Sequence, residues 1–120
     1  MEQERSAFTC KVSDDITTLS VMIGEGQLGA TFVFRGDDIL VQGGIAIGQL
    51  NLGRGVALVG TKISVESLVN DVVSESNRMS VRYVVRNGAS ETVFVASHDV
   101  AMARDMCRFV SDITFDASNP

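Results

Sequence analysis

His98 is the one histidine in the chain, and it stands beside Asp99. An imidazole next to a carboxylate can work as a general base, and with a cysteine it can raise a thiolate nucleophile. The candidate thiols, Cys10 and Cys107, lie near opposite ends of the chain. No local signature ties the three groups together, so a surface or capping histidine and two buried thiols are the simpler expectation. Arg78, Arg82 and Arg86 follow one another at four-residue steps. On a strand they share a face, where guanidinium forks could grip a carboxylate or a phosphate. A solvated face with Glu91 as a cross-strand partner is the simpler account of them. Arg78, Arg82, Arg86 and His98 are the candidate binding residues. No residue is assigned a catalytic role.

Two glycine-rich strings invite a nucleotide reading. Gly24-Glu25-Gly26-Gln27-Leu28-Gly29 matches G-x-G-x-x-G. That fingerprint needs a helix after its third glycine to hold a pyrophosphate, and Ala30-Thr31-Phe32-Val33-Phe34 reads as a strand. Gly48 to Gly55 approaches a P-loop but carries Arg54 in place of lysine and Gly55 in place of the magnesium-binding hydroxyl. Asp14-Asp15 and Asp37-Asp38 lack the spacing of a calcium loop, and Asp side chains serve turns. No cofactor and no metal are expected.

The elements that must position these residues centre on Asn87-Gly88, a strong hairpin signal between Met79–Arg86 and Glu91–Ala96. A two-residue loop sets Val81 opposite Phe94. A four-residue loop sets Tyr83 opposite Phe94 and Arg86 opposite Glu91. Either even length turns Val81, Tyr83 and Val85 inward. Earlier strands are expected at Ala7–Val12, Ile16–Ile23, Leu28–Arg35 and Ile39–Val41, with Phe32 and Phe34 inward. The glycine-punctuated run from Ile45 to Gly60 suits bent or bulged strands, and Ile63–Val73 tilts to strand. Ser97 as a cap and an apolar stripe through Val100, Ala103, Met106 and Val110 predict a helix from about His98 to Val110. The rival is a last strand, Cys107 to Phe115.

The expected class is mainly β: an antiparallel sandwich or small barrel of about seven or eight strands, closed by one C-terminal helix. A β-meander followed by one helix is similar in element order to pleckstrin-homology-like domains. That likeness implies a lipid or phosphopeptide site with basic loop residues, of which Arg54 and Lys62 would be two. The 120 residues fit one domain, with 1–6 and 116–120 frayed.

Net charge is −5, spread along the chain without a basic block. Nucleic acid is therefore a poor partner. No stretch approaches the ~18 apolar residues of a membrane helix. The charged start, Met1-Glu2-Gln3-Glu4-Arg5, does not resemble a secretory signal, so a cytoplasmic location is expected. Scarce catalytic groups and apolar edge strands at Ile39–Val41 and Ile45–Leu52 point to a non-enzymatic protein that binds another protein or a copy of itself. An inhibitor or immunity-type role fits the size and charge. The alternative is a β-barrel that binds a small molecule or lipid headgroup.

Overall fold

Period-two alternation of buried and exposed side chains runs through the computed structural model, which describes residues 2–24, 27–70, 78–99 and 106–118. In chain order the elements are β1 (Glu2–Val12), β2 (Ile16–Ile23), β3 (Leu28–Arg35), β4 (Asp38–Gly43), β5 (Ala46–Arg54), α1 (Gly55–Leu58), β6 (Lys62–Asn70), β7 (Arg78–Asn87), β8 (Ser90–Asp99) and β9 (Met106–Ala117). They form two sheets, ordered β1-β9-β6-β3-β4 and β5-β2-β7-β8. The sheets pack as a sandwich and do not close into a barrel.

Each layer sends one face inward. The five-stranded sheet contributes Val33, Ile63, Val65, Val69, Cys107, Phe109, Ile113 and Phe115, and the four-stranded sheet Leu19, Val21, Met79, Val81, Tyr83 and Val85. All are essentially sealed from water, and each large aliphatic or aromatic side chain so buried contributes ~1.5–3 kcal/mol. Polar groups in this core are paired. The Tyr83 and Ser111 hydroxyls meet across the two sheets at 2.7 Å, and Thr31 and Ser67 share a hydrogen bond of 2.9 Å.

Several expectations are corrected. The segment 98–110 is not one helix: His98 and Asp99 end β8, and Met106–Val110 open β9, while 100–105 lie outside the described residues. Cys107, Phe109, Ser111, Ile113 and Phe115 all point into the core at period two, and β9 has a partner on each side. That full pairing outweighs the helical stripe. The rival strand, Cys107–Phe115, is what the chain forms. The one described helix is instead α1, inside the run from Ile45 to Gly60.

The order is not that of a meander. Only β3–β4 and β7–β8 are neighbours in both sequence and sheet, and β1 lies parallel to β9. Residues 2–6 lie in β1, which pairs from Glu2↔Cys107 onward, and Asp116 and Ala117 belong to that same ladder. Phe32 and Phe34 sit on the outer face, since Thr31 and Val33 take the inner one.

The hairpin has the second of its two expected registers, with Tyr83↔Phe94 and Arg86↔Glu91. The ladder closes at Asn87↔Ser90, so the turn residues are Gly88 and Ala89. Gly88 has φ +59°, and no non-glycine residue of the turn has a positive φ. That is the pattern of a type II′ turn, which wants glycine first.

Candidate functional site

The four candidate residues do not converge. Arg78, Arg82 and Arg86 occupy the exposed, even-numbered face of β7, as their spacing predicts. His98 is on the opposite, inward face of β8.

On the arginine face, Arg86 pairs with Glu91 at 2.9 Å, and Arg82 lies in register between Met22 of β2 and Val95 of β8. Both arginines line an open groove of about 520 Å³ with Ser20, Met22, Gln49 and Val93. A β-bulge builds its far wall. The pairing of β2 with β5 shifts between Leu19 and Val21, and Gln49 takes a left-handed φ of 34° while its N–H donates to the Ser20 hydroxyl at 3.0 Å. Arg78 stands opposite Asp99 at the end of this face.

His98 belongs to a seam. Strand β1, at the rim of one sheet, lies over β8, at the rim of the other. The Phe8 and Phe94 rings stack at 4.6 Å, and the Thr92 hydroxyl lies beside the Cys10 thiol. At the far end, His98 Nε2 meets Glu2 Oε1 at 3.1 Å, and Nδ1 lies 3.5 Å from Glu4 Oε1. The hydrogen bond to Glu2 raises the imidazole pKa above its ordinary value, with a smaller contribution from Glu4. His98 therefore favours holding a proton over taking one. Burial, with Glu2 and Glu4 nearby, pushes the Cys107 thiol up to about 11, and burial also raises Cys10. A thiol so raised stays protonated at neutral pH and is a poor nucleophile. The Asp99 carboxylate is not the partner of His98 that adjacency suggests.

The described parts of the glycine strings lie in or beside strands. Glu25 and Gly26 lie outside the described residues, and Leu28 onward is β3. Gly29 is required by packing: a Cβ there would lie 2.2 Å from the Leu68 carbonyl oxygen. Gly48 and Gly53 belong to β5, and the Gly55 N–H donates to the Asp15 carbonyl at 2.9 Å. Arg54 forms an ion pair with Asp14, and Lys62 lies 4.0 Å from Asp112. Among the described residues no group of three His, Cys, Asp or Glu could hold a metal ion.

The sequence reading missed the outer face of the five-stranded sheet. There the Phe32 and Phe34 rings lie 6.4 Å apart, beside Ile39 (57% exposed) and Leu28 (55%). Leu28, Ala30, Ile45, Leu68 and Met106 line an apolar hollow of about 650 Å³ on the same side. Glu66 and Arg108, paired at 2.7 Å, stand on the same face, as do Lys62, Ser64 and Asp112 toward its other end. The signal was the even alternation of Leu28, Ala30, Phe32 and Phe34, assigned to the wrong side. The expected edges, Ile39–Val41 and Ile45–Leu52, do fall in rim strands β4 and β5. No protein-family model matches the chain, and no curated protein or solved structure matches it either.

Proposed function

We propose that the chain is a non-enzymatic protein-interaction domain that binds another protein, as an inhibitor or immunity-type partner does, or a copy of itself. The observation that carries this is the outer face of the five-stranded sheet. Two phenylalanines and flanking Leu28 and Ile39 stand on it, where a solvated sheet face carries polar residues. Leu28 and Ile39 are exposed and the two rings between them half-buried, and apolar surface of this kind marks association sites. The Cys107 thiol, raised to about 11 by burial, is a poor nucleophile, in keeping with this reading.

The test is sedimentation of the purified chain together with retention of proteins from its native cells, wild type against Phe32→Glu and Phe34→Glu. Wild type should retain a defined protein through this face, and both variants should lose it while staying folded. A strict monomer that retains nothing contradicts the proposal.

The groove over Arg82 and Arg86 favours a second reading, a site for a small anion such as a phosphate-bearing headgroup. Titration with inorganic phosphate, followed by the arginine side-chain resonances, separates the two. Saturable shifts lost in Arg82→Gln support the groove, and their absence removes it.

A further inference from the structure

The rims of the two sheets are β1, β4, β5 and β8, and three of them carry devices that oppose pairing with another chain. Strand β1 turns the carboxylates of Glu2 and Glu4 inward. Strand β4 is short and its ladder shifts between Val33 and Phe34. Strand β5 carries the bulge at Gly48-Gln49. Bulges and inward charges are the usual protections of a sheet edge. Strand β8 carries an inward ionisable group only near its end, at His98. It runs for 10 residues in unbroken register with β7, without proline or bulge, and its centre is Thr92-Val93-Phe94-Val95-Ala96.

The free bonding groups of β8 can be named. The Gly24 N–H donates to the Ser80 carbonyl, so even-numbered residues of β7 bond toward β2. Bonding direction alternates along a strand, so odd residues of β7 bond toward β8, and their partners there are even. Glu91, Val93, Val95 and Ser97 therefore turn their N–H and C=O groups away from β7, to an edge that no other strand pairs with among the described residues. Their side chains stand on the outer face, where Val93 and Val95 are 40% and 53% exposed.

We infer that β8 pairs with β8 of a second copy, antiparallel about a two-fold axis at Phe94, to give one continuous eight-stranded sheet. This rests on the reading of the chain as an interaction protein and adds a second copy as a partner, at an edge separate from the Phe32 and Phe34 face. An antiparallel edge with a two-fold axis is self-complementary, so one strand supplies both halves of the ladder. Charge selects the register. An axis at Val95 would set Glu91 against Asp99 of the other copy, and an axis at Val93 would set it against Val95. The axis at Phe94 sets Val93 against Val95 twice and Glu91 against the Ser97 hydroxyl, which can donate to it. Cross-strand valine pairs favour this register, and like charges directly opposite oppose the alternative.

The experiment is sedimentation of the full chain, wild type against Val95→Pro and Val95→Lys. The Val95 N–H faces the open edge, so proline there removes no bond to β7. Wild type should sediment at twice the chain mass of 12.8 kDa, and both variants at the monomer mass with unchanged circular dichroism. Should the proline variant fail to fold, the lysine variant decides. Mild oxidation of Val93→Cys chains mixed with Val95→Cys chains should give a cross-linked dimer in higher yield than either alone. A wild-type monomer, a dimer that survives both substitutions, or equal cross-linking in all three samples overturns the inference. A monomer whose Phe32 and Phe34 face is nonetheless covered in cells would sink this pairing and leave the interaction reading standing.

Discussion

The carboxamide of Asn87 holds the backbone of Ser13 from both sides. The Ser13 N–H donates to Asn87 Oδ1 at 2.8 Å, and Asn87 Nδ2 donates to the Ser13 carbonyl at 3.2 Å. The same side chain also accepts from the Ser13 hydroxyl and donates to the Asp15 carbonyl and the Thr17 hydroxyl. Asn87 thus ties the end of β7, in one sheet, to the connection that carries the chain from β1 in the other sheet to β2. Its side chain is buried, so it has no water to fall back on.

Substitution of Asn87 by Asp keeps the shape and removes the Nδ2 donor. The Asp15 carbonyl and Thr17 hydroxyl lose a partner, and a charge enters a buried site close to Asp15. Each unsatisfied buried group costs ~1–3 kcal/mol, so urea unfolding should show a loss of at least ~2 kcal/mol. An unchanged midpoint would mean that the corner is not held by this side chain.

Tyr83→Phe removes one member of the hydroxyl pair that bridges the sheets and leaves Ser111 alone in the core. The expected loss is ~1–2 kcal/mol in chemical denaturation. Ser111→Ala should cost a similar amount, and the double variant less than the two added together, because the second change removes the orphan left by the first. Strict additivity would exclude the bridge. Burial raises the Tyr83 phenol to about 12, so tyrosinate absorbance of the folded protein should reach its midpoint only near that pH, well above the ordinary value of about 10.

His98 gives stability a definite pH dependence. Its folded-state pKa is raised by Glu2 and then Glu4, so between about 6.5 and that value the native chain binds more protons than the unfolded one. Stability from the seam is therefore complete below about pH 6.5 and falls as pH rises through the folded-state value. Unfolding midpoints measured across this range should decline with pH in wild type, and the decline should flatten in His98→Gln. A midpoint that instead rises through this window in wild type alone would contradict the Glu2–His98 pair.

Two glycines of similar sequence context should respond in opposite ways. At Gly29 an added Cβ meets the Leu68 carbonyl oxygen, which belongs to paired backbone and cannot give way. Gly29→Ala should lose ~2 kcal/mol or more, since overpacking forces backbone shifts of ~1–3 kcal/mol. At Gly48 an added Cβ meets nothing within 4 Å, and its φ is not positive. Gly48→Ala should be neutral or slightly stabilising, because it restricts the unfolded chain. Thermal melts of the two variants check the contrast.

These features differ in how far the sequence announces them. The inward set Val81, Tyr83 and Val85 and the outward Arg82 and Arg86 follow from alternation around a strong turn signal. Alternation fixes which residues share a face but not which face is inward. Phe32 and Phe34 went to the wrong side because Thr31 looks like a surface residue, and its buried partner Ser67 lies 36 residues away. The stretch 106–110 satisfies both a helical stripe and a strand alternation, and only the flanking partners β1 and β6 decide between them. Asn87-Gly88 was read as a bend alone. Its corner clamp depends on Ser13, 74 residues distant, which no local pattern reveals. The Glu2–His98 pair, 96 residues apart, was hidden for the same reason.

The most direct test of the interaction reading is hydroxyl-radical footprinting of Phe32, Phe34 and Ile39, with the dilute purified chain compared against the chain in its native cells. The reading predicts labelling of exposed Ile39 and of half-buried Phe32 and Phe34 in dilute solution and marked protection of all three in cells, with exposed Ile16 on the other sheet as the internal reference. Equal labelling of the three in both settings, relative to Ile16, would show that nothing covers the face and would contradict the account.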